Sequence, residues 1–395
     1  MRQGRGEGRP GVGSIHGRTM GDVEELAGDP VGPVTRLEAA SERRVIRLGH
    51  LPGAMLLALL ALVIARAQHR LWWHYPIGVD LEIPLRAAQR WIAGGDAYLA
   101  AAFHLHGVDL PFLYPPFVLP IVAPLTDLPR AVVLAPWLLL LVGVAYASAR
   151  RLGFGPLVAG LVLLWPPYAE ALLGGNIQIL LFGAFIALMY RDGRQLDPRA
   201  RERPAIVDGA LGAFVAAVKV SQVHAWVYVL RRRPPAAALG LVVVGVVVLV
   251  TLPLLGTDRW LEWAAQASRA ADPTWGSIGF PLSRYTGLPI SLAVAALSVV
   301  AVFAVPPRQA GAWIGILTVI GSASPHIFAF LFLLPAMRLV PRGIGLIAAL
   351  LIATYVAALI WSAVALVSLA LAVTDRDIRL GRRVARWLPR NQLAR

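Results

Sequence analysis

A few polar residues interrupt an otherwise apolar chain, and their types set the chemistry open to it. Asp80, in Tyr75-Pro-Ile-Gly-Val-Asp80-Leu-Glu82, closely follows a first apolar segment. A carboxylate at the mouth of a membrane cavity can take the proton of a hydroxyl nucleophile; a solvated aspartate pairing with Arg86 or Arg90 is the competing reading. Glu82 completes an Asp-x-Glu pair that could hold Mg²⁺ or Mn²⁺, but such a site needs further ligands. Lys219 is the one lysine in a chain with 37 basic residues. A cation buried in a membrane needs an anionic partner, and an obligatory phosphate is one; a snorkelling lysine at a half-helix end is the alternative.

Four further groups belong with these. His326 follows Ser322-Ala-Ser-Pro325, where proline opens the backbone and imidazole can donate to a phosphate or act as an acid; a helix-packing histidine is the alternative. Gly174-Gly175-Asn176-Ile-Gln178, after Trp165-Pro-Pro-Tyr168 and Glu170, combines close approach with two amides able to bond sugar hydroxyls; alone it could be a turn and a helix start. The loop 257–288 carries Trp260, Trp263, Trp275, Phe280, Arg284 and Tyr285, suited to stacking on sugar rings and gripping an anionic head group or to an interfacial belt. His104 and His106 alternate without a third ligand at metal spacing, which argues against zinc.

These residues are set into a chain of 395 residues that is 57% hydrophobic and only 15% charged, with a mean hydropathy of +0.66. A soluble domain carries about 25% charged residues, and soluble cores stop growing at about 250–300 residues. A soluble globular enzyme is thereby excluded in favour of an all-α polytopic membrane protein. With no cysteine, thiolate metal sites and cysteine nucleophiles are excluded as well. The net charge of +15 comes from arginines clustered between apolar spans, as the positive-inside rule expects, rather than from a nucleic-acid surface. Residues 1–50, polar and rich in both charges, read as a disordered cytoplasmic tail with no cleavable signal. Span 51–67 then serves as its own insertion signal, residues 68–111 form a large extracytoplasmic loop, and 374–395 a basic C-terminal tail.

Further apolar segments lie near 112–127, 130–149, 155–172, 176–190, 206–230, 235–256, 289–305, 310–324, 326–337 and 343–373. Simple crossings conflict with the arginine clusters at 150–151, 191–203 and 231–233. Segment 112–127 contains Pro115, Pro116, Pro120 and Pro124, so it is expected to embed without crossing. Segment 206–230 has arginines at both ends and is expected to be a hairpin of half-helices, its apex near Lys219-Val220-Ser221-Gln222. The bundle would hold roughly 10–12 membrane segments, some re-entrant or half-length, in one domain over 51–373.

The layout resembles the GT-C superfamily of polyprenyl-phosphate-sugar-dependent glycosyltransferases, and more narrowly glycosyltransferase family 87, the polyprenol-phosphate-mannose-dependent mannosyltransferases of actinobacteria. The resemblance spans roughly 70–330. It is carried by Asp80, Trp91-Ile-Ala-Gly-Gly-Asp-Ala-Tyr98, Phe112-Leu-Tyr-Pro-Pro-Phe117, Gly175-Asn-Ile-Gln178, Lys219 and Ser324-Pro-His326, whose order is more specific than any one motif. Two stretches depart from the family pattern: Gly-Asn-Ile-Gln stands for a tighter Gly-Gln pair, and Trp275-Gly-Ser-Ile-Gly-Phe280 for a stretch with Asn and Gln. The resemblance implies Asp80 as catalytic base, with Lys219 and His326 facing the donor phosphate; the reading of the aromatic loop adds Arg284 to them. Glu82, Tyr114, Asn176, Gln178 and Trp275 would bind substrate. The implied reaction moves a hexose, mannose in this family, from a polyprenyl-phosphate donor to an envelope lipid or glycan hydroxyl with inversion, at the outer face of a bacterial plasma membrane. Neither a cofactor nor a resident metal is expected. A transporter or lipid-linked-sugar flippase would share the broken helices and intramembrane charge, and a non-catalytic envelope scaffold is a third reading.

Overall fold

The computed structural model describes residues 76–99, 104–105, 108–191, 193–196, 204–269, 283–322, 325–353 and 359–387. The tail 1–50 and the span 51–67 lie outside them. The described chain is α-helical apart from two short antiparallel pairs, β1 (His104–Leu105) with β2 (Val108–Asp109) and β3 (Tyr190–Arg191) with β4 (Arg194–Gln195), and the expected all-α polytopic membrane architecture is what is observed.

The polar stretch before the bundle is not a bare loop. Helix α1 (Val79–Ile92) starts behind Gly78, whose φ of 82° is open to glycine at little cost. Asp80 and Glu82 fall in its first turn and Arg90 in its last, the placement that the helix dipole favours. Its buried face, including Ala87 and Ala88, packs with Tyr98, Phe112, Leu119, Val122 and Leu255 into a small core of its own. The proline-rich segment forms only α2 (Val118–Val122) and a 3₁₀ turn over Ala123–Leu125. These are too short to cross a bilayer, as the prolines require.

Helix α3 (Arg130–Arg151) has 22 residues, about 33 Å of helix and enough for the hydrocarbon layer. Two bent pairs follow the same chain logic. Helices α4 (Pro156–Val162) and α5 (Pro166–Gly174) meet at 69° across a proline break. Further on, α11 (Leu288–Ala301), extended by a 3₁₀ turn to Ala304, meets a second arm at 118°, in which Pro307–Gln309 leads into α12 (Ala310–Ile320). Two helices are long and apolar enough to cross a membrane, or up to four if each bent pair is one span, among the described residues. Helix α6 (Gln178–Met189) is apolar and buried on nearly every side, the mark of a bundle centre. Around it lie α12, the 3₁₀ segment Ile327–Leu333 and α13 (Leu334–Leu339), which share the main core.

The 206–230 segment is the expected hairpin. Helix α7 (Ala205–Val218) ends where Lys219 turns extended, a 3₁₀ turn covers Val220–Gln222, and α8 (His224–Arg232) returns. A side chain at Gly212 would touch the backbone of Trp226, so the arms fold back about a point midway between them, at Lys219. At its base Arg233 donates to Asp208 at 2.8 Å, with side chains 14% and 4% exposed. Helix α9 (Pro234–Arg269) packs against α7 through Gly209 and Gly240, small residues that let backbones touch.

Gly256, φ 72° and ψ 162°, breaks α9 into two arms. The first is the span read over 235–256. The second runs helical to Arg269 where the sequence suggested a loop; Trp260 and Trp263, three residues apart and thus on one helix face, stand edge to face. Trp263 Nε1 donates to the Leu113 carbonyl, and Trp260 lies against Phe117. Helices α10 (Ser283–Thr286), α14 (Arg342–Ala353) and α15 (Leu359–Trp387) complete the described chain.

Candidate active site

Three separate segments bring their polar residues together beside the start of α1. Gly78 N–H donates to the Leu173 carbonyl at 2.8 Å, tying the entry of α1 to the end of α5. Gly175, φ 70°, ends α5, and its carbonyl accepts from Trp137 Nε1 on α3 at 2.7 Å. A Cβ on Gly174 would stand 2.6 Å from Asp80 Oδ2, so glycine is what lets this carboxylate lie against the end of α5.

Asn176 then orients Asp80. Its Oδ1 accepts the Gln178 backbone N–H at 2.8 Å, which opens α6, and its Nδ2 is left to donate to Asp80 Oδ2 at 2.9 Å. Burial raises the Asp80 carboxyl to about 6, against lowering contributions from the Asn176 hydrogen bond and the Lys219 charge. A base whose pKa lies near the working pH combines ionisation with proton affinity.

Lys219, at the hairpin apex, donates to Gln178 Oε1 at 3.1 Å. That bond assigns the Gln178 amide and leaves its buried Nε2 as a donor with no acceptor. The Lys219 charge also reaches His326, whose ring stands 4.2 Å from that of Phe328. On the other side of Asp80, Tyr114 is buried; burial first and the Asp80 charge second keep its phenol protonated, above its ordinary value. The Tyr114 carbonyl accepts from the Tyr98 hydroxyl at 2.9 Å, and its ring meets Phe112 edge on.

The arrangement is therefore a half-buried carboxylate held by the Asn176 amide, within electrostatic reach of the Lys219 cation that is bonded to Gln178. The family model described as Glycosyltransferase family 87 matches residues 112–322, more than half of the chain. The chain belongs to glycosyltransferase family 87. It is also 26% identical to the polyprenol-phosphate-mannose-dependent alpha-(1-2)-phosphatidylinositol mannoside mannosyltransferase of Mycobacterium tuberculosis, a match covering 55% of each chain. It thus matches about half the length of that relative. No solved structure matches it.

This family 87 glycosyltransferase gathers Asp80, Tyr114, Asn176, Gln178, Lys219 and His326 of the residues singled out from sequence. Glu82 is not among them. Two positions along a helix turn a side chain about 200°, and Glu82 is bonded instead to Arg130 at 2.6 Å, with Arg86 at 3.7 Å. Arg284 falls in α10, and Trp275 lies outside the described residues. Glu170, which the sequence reading passed over as context, lies within electrostatic reach of Asp80. Its signal was present: an acid inside an apolar segment, which a membrane tolerates chiefly for function.

Proposed function

We propose that this membrane glycosyltransferase transfers mannose from a polyprenyl-phosphate donor to a hydroxyl of an envelope lipid or glycan, with inversion. The observation that carries the reading is the Asp80 carboxylate, held by Asn176 and acted on by the charge of Lys219. In this reading Asp80 takes the acceptor O–H proton as that oxygen bonds to the sugar C1. The bond from C1 to the phosphate oxygen breaks, and polyprenyl phosphate leaves with the bonding pair. Lys219 and the free Gln178 amide meet the charge growing on that phosphate, the kind of interaction that lowers a barrier, with His326 beside them. Arg284 is assigned to the same phosphate, and Trp275 and Tyr114 to the sugars. No resident metal or cofactor is invoked.

Two features support a lipid-linked donor. An apolar groove of about 100 Å³ lies between α7 and α9, lined by Ala210, Ala213, Phe214, Ala217, Val243, Val244, Val247 and Phe117. Its lining reaches Ala217, two residues before Lys219 along the chain, and an apolar surface there suits the tail of a lipid-linked donor. The mycobacterial relative is named as polyprenol-phosphate-mannose dependent. We place the enzyme in the bacterial plasma membrane, with the site opening outward. Membership of a transferase family favours this reading over transport.

The test uses purified protein in lipid, radiolabelled polyprenyl-phospho-mannose and extracted envelope lipids, with Asp80→Asn alongside. General-base catalysis contributes about 10²–10⁴-fold, and Asp80→Asn is expected to lose that much. Full activity in the variant would remove Asp80 as base. A retained anomeric configuration in the product would overturn inversion.

A further inference from the structure

Glu170 is a carboxylate that no protein group bonds among the described residues. It sits inside α5, a nine-residue helix opened by Pro166 and Pro167, and among the described residues it makes no ion pair. One carboxylate oxygen, Oε1, is sealed from the surface and has no hydrogen-bond partner. A buried carboxylate left this way is costly, which is why buried charges are normally paired.

Its direction follows from the helix. Residues four apart lie on one helix face, and the face of α5 that carries Gly174 points at Asp80, because a Cβ there would meet Asp80 Oδ2. Glu170, four residues earlier, projects from that same face and feels the Asp80 charge. Two carboxylates thus look into one space, and among the described residues Asp80 has a hydrogen-bond partner, the Asn176 amide, where Glu170 Oε1 has none. An ionised carboxylate only accepts, so what completes that form of Glu170 must donate. The Lys219 charge acts on Asp80 and not on Glu170, and the groups a sugar offers in abundance are hydroxyl donors.

We propose that Glu170 is a specificity-determining residue of the transfer, accepting a hydrogen bond from a sugar hydroxyl next to the reacting centre. The inference rests on the transferase reading with Asp80 as base, and it adds that this space is built to recognise a hydroxyl besides the nucleophile. Sugars of the donor and of the acceptor share that chemistry, and the experiment separates them.

The experiment measures kcat/KM for wild type and Glu170→Gln with two panels. One consists of polyprenyl-phospho-mannoses in which each sugar hydroxyl in turn is replaced by hydrogen; the other is a mannosyl-lipid acceptor trimmed likewise. A neutral amide accepts a weaker hydrogen bond than a carboxylate. At one position, deleting the hydroxyl should cost wild type roughly tenfold or more and the variant about twofold at most. That position lying in the donor panel assigns Glu170 to the donor sugar, and in the acceptor panel to the acceptor. Equal losses in both proteins at every position, as for an oxygen satisfied by bound water, would overturn the inference while leaving transfer intact. Wild type inert with every donor would overturn the transferase reading and this inference with it. Should Glu170→Gln fail to fold, Glu170→Asp, which keeps the charge and withdraws it by one methylene, carries the same comparison.

Discussion

The two ends of the α7–α8 hairpin carry charges of opposite design. At the base, Asp208 faces Arg233 at 2.8 Å, one full charge against another, both nearly sealed. At the apex, Lys219 donates to a neutral amide at 3.1 Å, and that amide keeps an unfilled donor of its own. At the base the two charges offset each other directly, as a membrane requires of a buried ion. The apex cation has no such bonded counter-charge: its hydrogen bond goes to a neutral amide, and the Asp80 carboxylate acts on it through charge alone.

The sharpest way to break the comparison is at the base. Asp208→Asn leaves the Arg233 guanidinium buried without its counter-charge, and breaking such a pair costs about 3–5 kcal/mol. A large drop in unfolding temperature in lipid or detergent is expected, with near-normal turnover in whatever fraction stays folded. Lys219→Met inverts the pattern. Its thermal stability should stay within about 1 kcal/mol of wild type, while kcat/KM falls about 10²–10³-fold, the usual loss of a charge-stabilising donor. Equal stability losses at base and apex would erase the distinction.

The smallest effect concerns Asp80 and pH. As base it must be ionised, so activity should rise as pH climbs through about 6 and be lost on the acid side. Asn176 favours the ionised form through its hydrogen bond. Asn176→Ala should therefore move this limb to higher pH by the worth of one ordinary hydrogen bond, costing about threefold near pH 6, about fivefold at pH 5 and little at pH 8. A limb that stays put would mean another group titrates there.

How much of this was legible beforehand follows from how rare polar residues are in apolar sequence. Asp80, Asn176, Gln178 and Lys219 stood out because each interrupts a stretch with little else to offer, and arginines at both ends of 206–230 implied a fold-back. What stayed hidden depends on direction and distance. Glu82 looked like a companion of Asp80, but helix geometry turns it away, toward an arginine 48 residues on. Glu170 faces Asp80 only because α5 ends at Gly174 against it. The helical arm after Gly256 was hidden too, since its amphipathic face is completed by Phe117 and Leu113, far off in sequence.

The apex lysine also makes the protein its own reporter. Since Lys219 is the one lysine and no cysteine exists, the chain has a single side-chain amine, seated among the residues assigned to the donor phosphate. An acylating reagent small and apolar enough to enter from the bilayer would modify one internal peptide. Occupancy of the site by a lipid-linked phosphate could then be read by mass spectrometry, as protection of that amine in the wild-type sequence.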